Sequence, residues 1–257
     1  MGKDQRGYVG GPDFLEYLKD ADYNLWISFL RDPNLVQFFS RIDDQMLAIV
    51  SHMNKTPDLT AKDYFFYQTA FWVMANRQLR NSFAATVRRM SYDAKLILRP
   101  ALESTVFAYR IFENPKLLEV WANKREDWKA YAREFVHADY PAKLPRRTEF
   151  ENYIDRFNDT AAHPNLNYFA GSAEFGDGVM HLHYFDRNDE QQYYLQLLEV
   201  LACGLLILEV MRKTLEDRFR IYLTSTEAEW IGLQHDFAGI KVTYRKRYNL
   251  DKKSDAD

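Results

Sequence analysis

Cysteine is nearly absent: Cys203 is the only one in 257 residues. One thiol cannot form a disulfide, a redox pair or a cysteine zinc site within a chain, and its apolar setting, LLEVLACGLLILEV, gives it the role of a small buried hydrophobe. Glycine and proline are also sparse, at 10 and 8. They fall between long stretches rather than at the short intervals of a β-sandwich. No charge of one sign dominates, since the formal net charge is −3. That argues against a dedicated, sequence-independent DNA binder, though a local basic site for RNA remains compatible. No phosphate-cradling Gly-rich loop, nucleophile elbow or kinase signature occurs, so no cofactor is expected. Behind the charged start MGKDQRGYVGG there is no apolar run of the signal-peptide kind. A cytoplasmic protein is the plain expectation.

Apolar residues are abundant, at 47%, and 16% of the chain is aromatic. Their spacing of three and four predicts helix after helix. Residues 13–30 and 34–53 are separated by Asp32-Pro33, a long helix follows Thr60 and breaks or bends near Ser91, and the next contains Pro100. Proline there removes one backbone donor and is expected to kink the helix rather than end it, because the apolar period continues. A helix is expected over 116–137 and another near Ser225. The stretch 194–211, YLQLLEVLACGLLILEVM, approaches membrane-spanning length, but Gln196, Glu199 and Glu209 interrupt it. Carboxylates at mid-bilayer depth cost about 3 kcal/mol each, so a core helix of a bundle is the better reading. Residues 166–186 alternate apolar and polar around Gly176-Asp177-Gly178, the pattern of a small β-hairpin. The expectation is an all-α bundle with a hairpin insertion, one domain over 13–250. Within it, 13–55 is a possible packed extension and 60–220 the bundle proper, and residues 1–12 and 251–257 are mobile ends.

One short helix holds the best functional lead. Thr148 and Glu151 have the spacing of a capping box, and Pro164 marks the far end. At 100° per residue Phe150, Tyr153, Ile154, Phe157 and Ala161 share the core face. Arg156 and His163, two turns apart, line up opposite it with Asp159 between them, so these three are expected to point outward. An arginine followed closely by a histidine near a helix end, RFNDTAAH here, resembles the HEPN superfamily of helical ribonucleases and their non-catalytic relatives. The similarity extends loosely from Arg88 to about Leu215 and includes RPALE (Arg99 to Glu103), His163-Pro164 and the long apolar helix. Family members tend to carry a small polar residue directly after the arginine. This chain has Phe157 there and Asn158 one step later.

The resemblance implies a homodimer whose motifs meet across a cleft, acting on RNA or nucleotides. A metal-independent endoribonuclease would use His163 as acid or base and the Arg156 guanidinium to stabilise the phosphorane, with Asp159 supporting. Asn158, Arg99 and Glu103 are the candidate binding residues, and no metal is implied. The same row also fits a non-catalytic helical interaction or regulatory protein. Arg156 would then make a helix-surface pair with Asp159, and His163 would sit at a helix C-terminus. On either reading Arg156, as an exposed residue, is expected to contribute under about 0.5 kcal/mol to stability.

Other constellations are thinner. Glu134 and His137 make a single Glu-x-x-His, whereas a di-iron bundle needs two. His181 and His183 share a strand face and lack an evident third zinc ligand. The run Tyr244-Arg245-Lys246-Arg247-Tyr248 interleaves aromatics with cations, as RNA-contacting segments do, and as a solvated helix end also does.

Overall fold

The computed structural model describes residues 8–9, 14–56, 63–161, 173–176, 179–182, 185, 190–219, 221 and 224–248. Helices α1 (Phe14–Arg31) and α2 (Pro33–Asn54) meet at Asp32, with Pro33 opening α2. Proline suits a first helical turn because its missing N–H would have no partner there. Helix α3 (Asp63–Val87) turns back into α4 (Ser91–Glu113). Arg89 takes the left-handed conformation at this turn, φ 62°, while its amide donates to Thr86 O at 2.9 Å and that of Met90 to Ala85 O at 2.9 Å. Glycine usually fills such a helix end. Here the side chain holds the arginine in place, since Nη2 reaches Glu190 at 2.7 Å. Pro100 lies inside α4, and burial continues across it from Leu98 to Ala101, Leu102 and Val106.

Residues 116–137 do not form the single helix expected. They break into α5 (Leu117–Ala122) and α6 (Trp128–Tyr131), and α6 runs on into a wider π turn, Ala132–Val136. The charged run Lys124–Asp127 separates the two, and Asp127 caps α6 by accepting from the Ala130 amide at 2.9 Å. Aromatic contacts anchor this segment: Trp121 packs on Phe71 at 5.1 Å and Phe135 on Phe107 at 5.1 Å.

Helix α7 (Arg147–Ala161) begins one residue before Thr148, so Thr148 stands inside the first turn rather than preceding it. Glu151 accepts from Arg147 Nε at 2.6 Å. The capping box is therefore replaced by a one-turn ion pair, and the Arg146 carbonyl receives the Glu149 and Phe150 amides. Strands β2 (Ala173–Gly176) and β3 (Val179–Leu182) pair antiparallel. Strand β1 (Tyr8–Val9) pairs parallel with β3, Tyr8 opposite Met180, which differs from the reading of residues 1–12 as a mobile end. Residues 251–257 lie outside the described residues.

Helix α8 (Glu190–Thr214), continued by a π turn to Phe219, is the centre of an all-α bundle. Its length and composition would allow it to cross a membrane, yet 72% of the most apolar stretch is buried within the protein, as in a core helix. Gly204 makes this packing possible. A Cβ there would lie 3.2 Å from Leu79 Cδ2 and 3.3 Å from Ile42 Cγ2, so α2 and α3 approach the α8 backbone where a side chain would intrude. Helix α2 belongs to the same core, burying Leu35, Phe38, Ile42, Met46, Ile49 and Met53. Helix α9 (Thr224–Arg247) closes the bundle through Trp230, Leu233, Phe237 and Tyr244.

A polar knot ties α1, α2, α8 and α9. Asp32, 2% exposed, accepts from the Tyr194 hydroxyl at 2.6 Å, the Tyr244 hydroxyl at 3.1 Å and Arg31 Nε at 3.1 Å. Tyr248 stacks on Tyr194, ring centres 3.9 Å apart. Arg31 Nη1 and Arg89 Nη2 converge on Glu190 at 2.9 and 2.7 Å.

Candidate functional site

Helix α7 lies against the bundle by Phe150, Ile154 and Phe157, all buried, with Tyr153 half-buried beside them. That is the face expected from the sequence. Arg156 leaves this face toward α8, where Nη2 donates to Glu199 Oε1. Its guanidinium lies 4.9 Å from the Tyr153 ring centre and 5.9 Å from that of Phe157. The side chain is 53% exposed and that of Glu199 only 15%. Arg156 therefore forms an ion pair with its own bundle instead of simply facing outward, a correction with an energetic consequence.

Glu199 interrupts the apolar run of α8, one turn before Cys203. Burial pushes its carboxyl above the ordinary carboxylate value, while Arg156 and Lys95 pull it back, and the net direction is up. Burial likewise raises the Cys203 thiol and the Tyr153 hydroxyl. Arg156 thus offsets part of the cost of a carboxylate enclosed by apolar neighbours. Arg156→Ala is expected to cost about 1–2 kcal/mol in urea denaturation, more than an exposed arginine contributes and less than a fully buried pair. In a Glu199→Gln background the same change is expected to cost under about 0.5 kcal/mol. Equal costs in the two backgrounds would mean that the ion pair contributes nothing.

The remaining candidates divide. Asp159 is exposed, as expected. Asn158 is half-buried, and its Oδ1 is enclosed with no hydrogen-bond partner among the described residues. Arg99 Nε donates to Glu103 Oε1 at 2.8 Å across one turn of α4, with both side chains about a third exposed. His163 and His183 lie outside the described residues. Among the described residues no group of three or more His, Cys, Asp or Glu side chains is placed to hold a metal ion.

Arg156 forms part of a larger feature. A groove of about 730 Å³ runs along α8 between α7 and α9. Its floor is α8 from Gln192 to Leu206, a span of about 20 Å at 1.5 Å per residue. Lys95, Arg146, Arg156, Lys241 and Arg245 line it. Against these five cations the lining holds two carboxylates, Glu149 and Glu199, so the groove is net positive in a chain of net charge −3. Arg146 is held by Glu149 at 2.6 Å and Glu209 at 3.4 Å, and Lys241 Nζ lies 4.9 Å from the Phe237 ring centre. Tyr153, Trp230 and Phe237 supply aromatic wall between the charges. Cations spaced along a channel with aromatic faces between them suit an extended anion carrying flat apolar groups.

Sequence reasoning found Arg156 and the basic run containing Arg245, but not Lys95, Lys241 or the role of Glu199. Glu199 left one signal: a carboxylate within an almost wholly apolar helix requires a cation from elsewhere. Comparison of the chain with protein-family models, with curated proteins and with solved structures finds no match.

Proposed function

We propose that the protein binds RNA or a nucleotide in the α7–α8–α9 groove, phosphates meeting the cations and bases meeting the aromatic wall. The excess of cations over carboxylates in a groove with aromatic walls carries this reading. Kinship with the HEPN superfamily belongs to the same proposal and rests on the Arg156–His163 spacing. So does an inserted hairpin at 166–186, which the antiparallel pairing of β2 with β3 supports, and so does a cytoplasmic setting. Within this reading, metal-independent cleavage is the stronger form and non-catalytic binding the weaker. The engagement of Arg156 by Glu199 favours the weaker form, because a guanidinium held by a carboxylate must exchange that partner to reach a phosphorane.

Fluorescence anisotropy with a short labelled single-stranded RNA tests binding. Affinity should fall steeply with salt, and Lys241→Glu combined with Arg245→Glu should weaken it at least about tenfold. Equal affinity for wild type and the double variant, or binding indifferent to salt, would remove the groove as the site. A cleavage assay in EDTA separates the two forms. If the motif is catalytic, products end in 2′,3′-cyclic phosphate, and both Arg156→Ala and His163→Ala abolish most turnover. Turnover unchanged in His163→Ala would identify a contaminating nuclease and leave the binding reading in place.

A further inference from the structure

Helix α1 presents an apolar stripe to solvent. Leu15 is 66% exposed, Tyr23 66%, Trp26 63% and Leu30 77%, with Leu18 and Ile27 exposed beside them. A tryptophan and a leucine this open on one helix are unusual for a surface that meets only water. At 100° per residue Leu15, Lys19, Asp22, Trp26 and Leu30 fall within about 80° of arc, Leu18 marking one margin and Tyr23 and Ile27 the other. Two charges of opposite sign therefore lie inside the stripe. Arg88 Nη2 lies 3.9 Å from Asp22 Oδ1, while the Asp22 side chain stays 70% exposed.

The order of the stripe is self-complementary. Turned end for end about a two-fold axis between positions 20 and 21, it places Lys19 of one copy against Asp22 of the other, and Asp22 against Lys19. The same rotation sets Leu15 opposite Trp26, twice over, and brings like margins together, Leu18 beside Leu18 and Tyr23 beside Tyr23. An isologous contact requires this match, in which every residue and its opposite number exchange roles. A heterologous protein would have no reason to find it.

Area and charge agree with a second copy. Within the overlap of the two helices, positions 14–27, the five exposed apolar side chains other than Leu30, offering on the order of 100 Å² each, would bury about 1,000 Å² across two copies, the threshold of a specific interface. A lipid surface suits the stripe poorly. Glu16, Asp20 and Asp22 outnumber Lys19 and Arg31 on the helix, whereas helices that lie on anionic membranes are rich in lysine and arginine.

We propose that the α1 stripe is a homodimer interface, with two copies of α1 packed antiparallel and the reciprocal Lys19–Asp22 pairs setting the register. This goes beyond the RNA reading and is independent of it, since no α1 residue lines the groove. The test is sedimentation velocity on the full chain at micromolar concentration, with circular dichroism to confirm that each variant folds. Wild type should sediment at twice the 30.5 kDa of one chain. Lys19→Glu and Asp22→Lys should each weaken dimerisation at least about tenfold through like-charge contacts in the seam. The double swap, Lys19→Glu with Asp22→Lys, should restore most of it. Trp26→Glu should give a folded monomer that still binds RNA if the groove reading is right. A wild-type monomer would overturn the proposal, as would a dimer indifferent to Trp26→Glu. A double swap no better than its single variants would overturn the antiparallel register.

Discussion

Asp32→Ala should lower the unfolding free energy by about 3–5 kcal/mol, the range for removing one member of a buried, hydrogen-bonded charge cluster. The carboxylate turns away from the amides of α2 and receives Tyr194, Tyr244 and Arg31 instead. Without it two buried hydroxyls lose their acceptor, and the Arg31 guanidinium keeps its bond to Glu190 but loses the one to Asp32. Asp32→Asn keeps the shape and one acceptor oxygen and should fall between wild type and alanine. Tyr244→Phe should cost about 1 kcal/mol, the net value of one hydrogen bond. Urea unfolding followed by circular dichroism measures all three. A loss for Asp32→Ala under about 1 kcal/mol would mean that the knot is solvated rather than structural.

The same region sets the response to base. Burial raises the Tyr194 and Tyr244 hydroxyls above the ordinary tyrosine value of 10.0, and the hydrogen bonds to Asp32 and its negative charge raise them further. Burial also raises Tyr193 and Tyr153, and pushes Tyr140 up to about 12. The unfolded chain loses these protons near pH 10, whereas the folded protein holds them to higher pH. Stability from this source is complete below the unfolded value and falls as pH rises through the folded values. Each tyrosine held neutral contributes about 1.4 kcal/mol of loss per pH unit above 10, so two or three together outweigh a typical domain's reserve within about two to three units. Urea midpoints should therefore be flat to about pH 9.5 and then drop steeply, with the phenolate absorbance of the buried tyrosines appearing only with unfolding. Exposed tyrosines such as Tyr23 add a separate signal, so it is phenolate absorbance complete near pH 10 for all 17 tyrosines, with helicity retained, that would show the buried ones to be solvent-accessible.

What could be read in advance follows the range of the forces involved. The α1 and α2 limits, the break at Asp32-Pro33 and the passage of α4 through Pro100 are written in local spacing, and local spacing sufficed. The core face of α7 was legible for the same reason. The division of 116–137 was not, because apolar residues resume at Trp128 beyond the charged run and charged residues are ordinary on a helix face. Its cause is a charged run, a capping aspartate and ring contacts with α3 and α4. Nor was the Arg156–Glu199 pair, since its members stand 43 residues apart and meet only when α7 lies on α8. The groove cations come from α4, α7, the residue just before α7, and α9, and make no pattern along the chain. Charge that gathers only on folding leaves no trace in the order of residues.

The bond from Tyr244 to Asp32 joins residues 212 positions apart. Such a contact is worth nothing until almost the whole chain between is in place, and the entropy of closing that loop precedes any gain. During synthesis at about 5–20 residues per second, α1 and α2 leave the ribosome at least about ten seconds before α9 can reach them. In that interval the aspartate waits in water, and the apolar faces of α2 and α8 wait for their last wall. The knot acts as a latch that fastens late, so a chain interrupted before residue 244 would keep its helices and lack the contact that locks them together.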